Sequence, residues 1–225
     1  MDLLYFLKAR TAFIRHFYNV ASVPFAEMKR KIESGEAPFE LHLVEYEDEP
    51  PFTTEWIEAE SCLEVLGRVC ISMLSAYLKL YFDTWRAHLG IELQQEDKLV
   101  LRNHGVLKGY KWIFGGRLGI EWANCPADFA VLEQIFLARN REQHPDHITT
   151  QSVDHRRSDL EKYAEPFFLS DTDRKILAED PEFAGNSFFS FRIHVTGEKL
   201  LAATKEVDML AEWLEPQLIA ERLRR

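Results

Sequence analysis

The chain has 225 residues, 46% of them apolar and 12% aromatic, which is enough to bury the core of one large domain or two small ones. Its formal net charge of −10 argues against a broad basic surface for non-specific nucleic-acid binding, but it leaves room for one local phosphate site. Its three cysteines have no CxxC spacing, so we expect reduced thiols in a cytoplasmic protein rather than a disulfide framework or a zinc knuckle.

The N-terminal part of the chain changes from basic to acidic. Residues 4–34 have apolar residues at helical spacing that Pro24 interrupts, so we predict two helices that meet there, the second ending at Gly35. Residues 32–67 carry eleven Asp or Glu and no Lys or Arg. We interpret this acidic segment as a solvated loop and helix start, and the alternative is a docking surface for a basic protein partner.

A long helix is predicted next. Thr53 and Thr54 are good N-cap residues, and apolar residues at helical spacing continue to His88, just before Gly90. Such a helix is about 50 Å long, and its apolar face is wide enough for both a bundle and a dimer interface. Residues 62–82 are the most apolar stretch but contain three charged side chains, so no membrane span is expected.

The second half of the chain is predicted to be helical with a minor β element. Residues 102–124 hold five glycines without a GxGxxG or P-loop spacing, which favours a turn-rich connector with a short helix over a phosphate-binding loop. Asn124 is the predicted cap of a helix opened by Pro126 and Asp128 and running to residue 144. A helix is expected around Leu160, and Thr196 is the predicted cap of a last helix. Residues 187–195 alternate like a short strand that pairs with residues 98–101.

The helix over residues 126–144 carries the candidate site. Its apolar stripe continues into Arg139, and a guanidinium on such a face needs an anion, a carbonyl or an interface. His144 precedes a proline, which disfavours helical backbone, so this histidine can turn toward Arg139. The alternative is a solvated helix end, in which Arg139 and Arg141 serve the terminal carbonyls and His144 adds charge near the negative end of the dipole.

The stretch "LARNREQHPDH" resembles the Arg-x(4–6)-His motif of the HEPN superfamily, with Arg139 as its arginine, Asn140 as the polar residue that often follows, and His144 as its histidine. The resemblance covers roughly residues 52–150. It implies a HEPN-like helical bundle that forms a homodimer, with RNA in a cleft where the two motifs face each other. It also implies a metal-independent endonuclease without a cofactor, leaving 2′,3′-cyclic phosphate ends, in a bacterial toxin or defence system.

The implied roles suit these side chains. A histidine with a pKa near 6.5 can remove the proton of the ribose 2′-hydroxyl or protonate the leaving oxygen. An arginine can hold the scissile phosphate through two hydrogen bonds. Asn140 could orient His144 or the phosphate. Arg141 and His147 are the candidate substrate-binding residues, although Arg141 is better suited to the helix-end backbone.

Two other interpretations stay open. A metal site could be built from five donors within twelve positions, but their spacing matches no known zinc motif, so no metal is predicted: His144, Asp146, His147, Asp154 and His155. His104 and His194 are interpreted as ordinary loop or strand residues. The second alternative is a non-catalytic helical module that binds a nucleotide in the same cleft, or a protein partner through the acidic segment.

These expectations give a mainly α fold with a long central helix. We divide the chain into a basic N-terminal helical extension with an acidic linker (1–50), a HEPN-like helical core (51–150) and C-terminal helices with a short strand (151–225). The last part is expected to pack on the core as one globular unit.

Overall fold

A computed structural model describes residues 2–40, 50–144, 152–163, 165–180 and 190–224. The described residues are mainly helical, and the prediction of a helical bundle is confirmed. The helices are α1 (Leu3–Ser34), α2 (Thr53–His88), α3 (Gln95–Leu118), α4 (Phe129–Gln143), α5 (Arg157–Lys162), α6 (Asp171–Glu179) and α7 (Gly197–Arg224), with a 3₁₀ turn at Trp122–Asn124.

Helix α2 is the centre of the bundle. It packs against α1, α4 and α7, as the predicted spine requires. Its core positions follow helical spacing and are completely buried: Cys70, Ile71, Leu74, Leu78 and Phe82. By length and composition alone, α2 could also cross a membrane. A core helix of a bundle meets the same criterion, and the contacts of α2 are those of a core helix.

The prediction of two helices meeting at Pro24 is wrong, because α1 continues through the proline as one helix of 32 residues. Pro24 is exposed, so the backbone carbonyl that loses its partner there can bind water instead. Contacts on both sides of the proline hold α1 against α2. Ile14 is buried in the core before it, and Lys29 lies 4.3 Å from the centre of the Trp56 ring after it. The predicted end at Gly35 is confirmed by its left-handed backbone, with φ of 65°.

Two predicted N-caps are replaced by neighbours, and one is confirmed. The N-cap of α2 is Phe52, while Thr53 donates its hydroxyl to the Pro50 carbonyl at 2.5 Å. The N-cap of α4 is Asp128 instead of Asn124, because the Asp128 carboxylate accepts from the Ala130 amide at 2.7 Å. Asn124 instead closes the 3₁₀ turn. For α7, the Thr196 hydroxyl accepts from the Lys199 amide at 3.2 Å, as predicted.

The predicted connector over residues 102–124 is mostly helix, so that prediction is wrong. Helix α3 bends sharply at Gly105, with φ of 83° and ψ of 175°, into two arms that fold back on each other. An ion pair between Asp97 and Arg117 joins the two far ends of the arms. Gly109 allows the close approach, since a Cβ there would lie 2.4 Å from a methyl carbon of Leu101. The glycines thus build a helical hairpin instead of a series of turns.

The predicted strand is also wrong within the described residues 190–195. Only one isolated antiparallel bridge forms there, between Asp154 and Arg192, and the predicted partner segment, residues 98–101, lies inside α3. The alternation has a different cause. Every second side chain of this segment is buried, namely Phe191, Ile193 and Val195. Backbone amides of the segment also donate hydrogen bonds to the carbonyls of Val153 and Phe168, which hold it in place. Residues 187–189 lie outside the described residues.

The basic and acidic parts of the N-terminal region meet in the structure. Trp56 Nε1 donates to Glu33 at 2.9 Å, and Lys29 forms an ion pair with Glu60. Residues 41–49 of the acidic segment lie outside the described residues. The division at residues 50 and 150 stays a prediction, and within the described residues α1, α2, α4 and α7 contribute to one hydrophobic core.

Candidate functional site

A cleft of about 640 Å³ opens between α2, the bend of α3 and the C-terminal half of α4. The three helices place cationic, histidine and amide side chains on its walls: Lys79 from α2, Arg102, His104 and Lys108 from α3, and Arg139 and Asn140 from α4. The aromatic side chains of Tyr77 and Phe136 also line the cleft, together with the carboxylates of Asp83 and Glu133 and with aliphatic side chains such as Leu80. The cleft therefore combines cations, aromatic surface and one imidazole.

The two lysines of the cleft are neutralised by its own carboxylates. Lys79 Nζ lies 2.5 Å from Oδ2 of Asp83, and the other oxygen of this carboxylate, Oδ1, accepts a hydrogen bond from the Tyr110 hydroxyl. Lys108 Nζ lies 3.2 Å from Glu133. Burial opposes the ionisation of Glu133, but hydrogen bonds from Lys162, Tyr163 and Lys108 outweigh it and lower the pKa of this carboxyl. Neither lysine is therefore the strongest available partner for an incoming anion.

The two arginines of the cleft differ from its lysines. Arg139 Nη1 donates to Oδ1 of Asn140 at 2.9 Å, and Arg102 Nε donates to Oδ1 of Asn103 at 3.4 Å. Within the described residues no carboxylate lies within ion-pair distance of either guanidinium. In the described parts of the chain, both guanidinium groups therefore donate hydrogen bonds to neutral amide oxygens. Guanidinium groups in this situation suit the bidentate binding of a phosphate or carboxylate.

Helix α4 ends where the sequence predicts, but the two halves of the proposed motif diverge. Gln143 is its last residue, and His144 leaves the helical region with φ of −131° and ψ of 66°. His144 is exposed, and it is not among the described residues that line the cleft of Arg139. Within one chain the structure thus brings Arg139 and Asn140 together but does not add His144. His147 lies outside the described residues.

The charged residues that follow Asn140 contact the segment around Asp154 and helix α2 instead of the cleft. Arg141 Nε donates to the backbone carbonyl of Asp154 at 3.1 Å, outside the cleft. Glu142 accepts a hydrogen bond of 2.6 Å from Nε of Arg68, a guanidinium that is buried in the bundle. The end of α4 therefore has two sides. One side presents Arg139 and Asn140 to the cleft, and the other binds the backbone at Asp154 and the Arg68 guanidinium of α2.

His104 is the cleft residue that the sequence interpretation missed. The interpretation of His104 as an ordinary loop or strand residue is wrong, because it lies on α3, is exposed and lines the same cleft as Arg139. The available signal was the run Arg102-Asn103-His104 directly before Gly105, which repeats the residue types of the motif on α4. His194 instead donates its backbone amide to the Phe168 carbonyl, in the segment next to the core.

The described residues contain no group of three His, Cys, Asp or Glu side chains that could hold a metal ion. Two of the five donors in the metal interpretation, Asp146 and His147, lie outside the described residues. Of the others, His155 Nε2 is 3.1 Å from the Phe168 carbonyl, and burial lowers the pKa of its imidazole. His155 is therefore held by the C-terminal segment.

Comparison of the chain with models of known protein families, with curated proteins and with solved structures found no match. Membership of the HEPN superfamily therefore stays a prediction, and the geometry and charge of the cleft are the observations that bear on function.

Proposed function

We propose that the cleft binds the phosphate groups of RNA and that the protein cleaves RNA there without a metal ion. The observation that carries this proposal is the pair of arginines, Arg102 and Arg139, which line one cleft without a carboxylate partner among the described residues. A histidine, His104, lines the same cleft. The overall acidity of the chain does not oppose such a site, because the local charge of the cleft acts on a bound phosphate.

The proposed reaction needs a base, an acid and a cation. A neutral imidazole removes the proton of the 2′-hydroxyl while that oxygen attacks phosphorus, and the bond from phosphorus to the 5′ oxygen breaks. A protonated group donates to the departing 5′ oxygen, leaving a 2′,3′-cyclic phosphate and a 5′-hydroxyl. Arg139 and Arg102 would offset the charge that builds on the phosphate oxygens. Asn140 would hold the Arg139 guanidinium in position.

His104 is the first candidate for proton transfer, because it lines the cleft of its own chain. His144 is the second candidate and would act in a HEPN-like homodimer, where the motif of one copy faces that of the other. A role as a cytoplasmic toxin or defence component belongs to this proposal through the resemblance alone.

A non-catalytic function is the second candidate, and the position of His144 favours it. Since His144 does not line the cleft of its own chain, Arg139 and Asn140 could bind a nucleotide there without acting on it. The two candidates share the ligand chemistry but differ in their need for an imidazole. Substitution of His104 or His144 separates them, because binding alone requires neither proton donor nor proton acceptor.

The test is cleavage of a mixed RNA pool in excess EDTA, scored by 2′,3′-cyclic phosphate ends. Wild type is compared with Arg139→Ala, His104→Ala, His144→Ala and the control Arg157→Ala, which removes an exposed arginine of α5 outside the cleft. We expect cleavage by wild type and the control, and its loss in Arg139→Ala and in at least one histidine variant. No cleavage, together with RNA binding that requires Arg139, would favour the non-catalytic function. If the protein shows no cleavage and no RNA binding that depends on Arg139, both candidate functions are overturned.

A further inference from the structure

A second, apolar groove lies beside the cleft. It has a volume of about 290 Å³ and runs between the N-terminal turns of α1 and the C-terminal half of α2. Phe6 and Arg10 line it from α1, and Tyr77, Leu80 and Tyr81 line it from α2. None of these residues except Tyr77 and Leu80 lines the larger cleft.

The groove and the cleft are adjacent and share two lining residues. Tyr77 and Leu80 stand one helical turn apart on α2, and both side chains line both spaces. Both spaces therefore border the same stretch of α2, and among the described residues no other helix contributes a residue to both linings. The cleft supplies the cations for its charged part, and the groove supplies apolar surface for the remainder.

The groove offers surfaces for flat aromatic groups. The Phe6 ring is 52% exposed although it lines a concave surface. The Arg10 guanidinium lies 4.5 Å from the centre of the Tyr77 ring, and among the described residues no carboxylate pairs with it. Nucleobases stack on aromatic rings and on guanidinium planes in proteins that bind single strands. An apolar groove that contains one unpaired guanidinium fits a chain of bases and phosphates better than a purely hydrocarbon ligand.

We propose that the cleft and the groove form one channel for single-stranded RNA. The phosphates lie against Arg139 and Arg102 in the cleft, and the next bases along the strand stack on Phe6 and Arg10 in the groove. This proposal rests on the proposed function, because the cleft must bind a phosphate first. A duplex is excluded as the preferred ligand, since its bases are already paired and stacked and cannot enter the groove without unwinding.

The experiment measures binding of uncleavable 2′-O-methyl oligouridines by fluorescence polarisation, and of uridine 3′-monophosphate by calorimetry. The key variant is Phe6→Ala, and its matched control is Phe13→Ala. Phe13 lies on the same helix and is 53% exposed, but it does not line the groove. The two variants therefore remove the same side chain from equally exposed positions. Circular dichroism checks that both stay folded.

We expect a nine-residue strand to bind wild type more tightly than the monophosphate. Phe6→Ala should weaken binding of the nine-residue strand by about tenfold, as expected for the loss of one stacked base, and should leave binding of the monophosphate unchanged. Phe13→Ala should change the affinity for neither ligand. A nine-residue duplex should bind more weakly than the single strand.

Different failures are distinguishable. Suppose that Arg139→Gln weakens binding of the monophosphate, but Phe6→Ala and Phe13→Ala have the same effect on binding of the nine-residue strand. The channel proposal is then wrong, while phosphate binding in the cleft is supported. If Arg139→Gln changes the binding of neither ligand, both the proposed function and the channel proposal are wrong. If dodecyl phosphate binds in a Phe6-dependent way while strand length adds nothing, the groove holds an alkyl chain and the RNA channel is overturned.

Discussion

Arg139 donates a hydrogen bond to Asn140, its neighbour in the sequence, instead of forming an ion pair with any carboxylate in the described parts of the chain. Such an arrangement contributes little to folding and keeps a cation available, as expected of a ligand-binding residue. Arg141, two positions later, binds the backbone carbonyl of Asp154 and supports the fold. We therefore assign Arg139 to ligand binding and Arg141 to the stability of the fold.

Substitution of these arginines should show that separation. Arg139→Gln is expected to change the free energy of unfolding by less than about 0.5 kcal/mol and to weaken RNA binding at least about tenfold. Arg141→Gln is expected to destabilise the protein by about 1 kcal/mol or more through the lost hydrogen bond. Urea unfolding and RNA titration of both variants check this. Equal effects of the two variants on RNA binding would contradict the assignment.

The bend of α3 should be sensitive to a single methyl group. Gly105 has a φ of 83° and a ψ of 175°, a combination that is accessible almost only to glycine, so Gly105→Ala should cost about 1–3 kcal/mol. It should also weaken RNA binding, since the bend carries Arg102 and His104. Gly116→Ala is the control, because Gly116 is helical and its added Cβ would meet no atom within 4 Å. That change should stabilise the protein by about 0.5–1 kcal/mol in thermal unfolding.

The buried carboxylate of Glu215 should be the most sensitive polar site of the core. Its oxygens accept hydrogen bonds from Tyr81 at 2.6 Å, Trp85 at 2.7 Å and the Leu4 amide at 3.2 Å. Glu215→Ala leaves these donors without their acceptor and should lower the free energy of unfolding by about 3 kcal/mol or more. The exposed neighbour Glu212, which pairs with Lys8, serves as the control, and Glu212→Ala should change stability little. Equal losses in urea unfolding would refute the buried network.

Glu133 should make stability depend on pH in a defined direction. Its pKa in the folded protein lies below the ordinary value of 4.5, so its contribution is fully present above that value and is lost as the pH falls through the lowered pKa. The difference in unfolding free energy between wild type and Glu133→Gln should therefore be constant from pH 7 to about 5 and shrink below 4.5. A difference that grows on acidification would show that the Glu133 pKa is raised instead.

The three cysteines should react at different rates. Cys62 is exposed, whereas Cys70 is buried, and its burial raises the pKa of the thiol to about 11. The pKa of the partly buried Cys125 is also raised by burial. Iodoacetamide at pH 8 should modify Cys62 first and Cys70 only after unfolding, as followed by mass spectrometry of peptides. Rapid modification of Cys70 in the native protein would contradict the packing of α2.

Local sequence signals predicted much of the fold. The spacing of apolar residues indicated α2 and α7, and Gly35 and Thr196 ended and began helices as expected. Predictions failed where long-range contacts decide the conformation. The glycines of α3 predict turns when only the local sequence is considered. In the structure, Gly109 instead allows close packing on Leu101.

The candidate site was predictable in part for the same reason. Arg139 and Asn140 were identified from one helix, and the structure places them in the cleft. His104 and Arg102 lie more than 30 positions away, and only the hairpin of α3 brings them to the same cleft. No spacing rule within the stretch from Arg139 to His144 could have indicated them.

The most direct test of the proposed function is whether a phosphate binds at Arg139 close to His104 in the cleft. The ring signals of His104 are followed by proton–carbon NMR at constant pH while uridine 3′-monophosphate is added, with His16, an exposed residue of α1 outside the cleft, as internal control. We predict a saturable shift of the His104 signal that is lost in Arg139→Gln, while the His16 signal stays unchanged. A His104 signal that does not move, or that moves equally in Arg139→Gln, would contradict the proposed function.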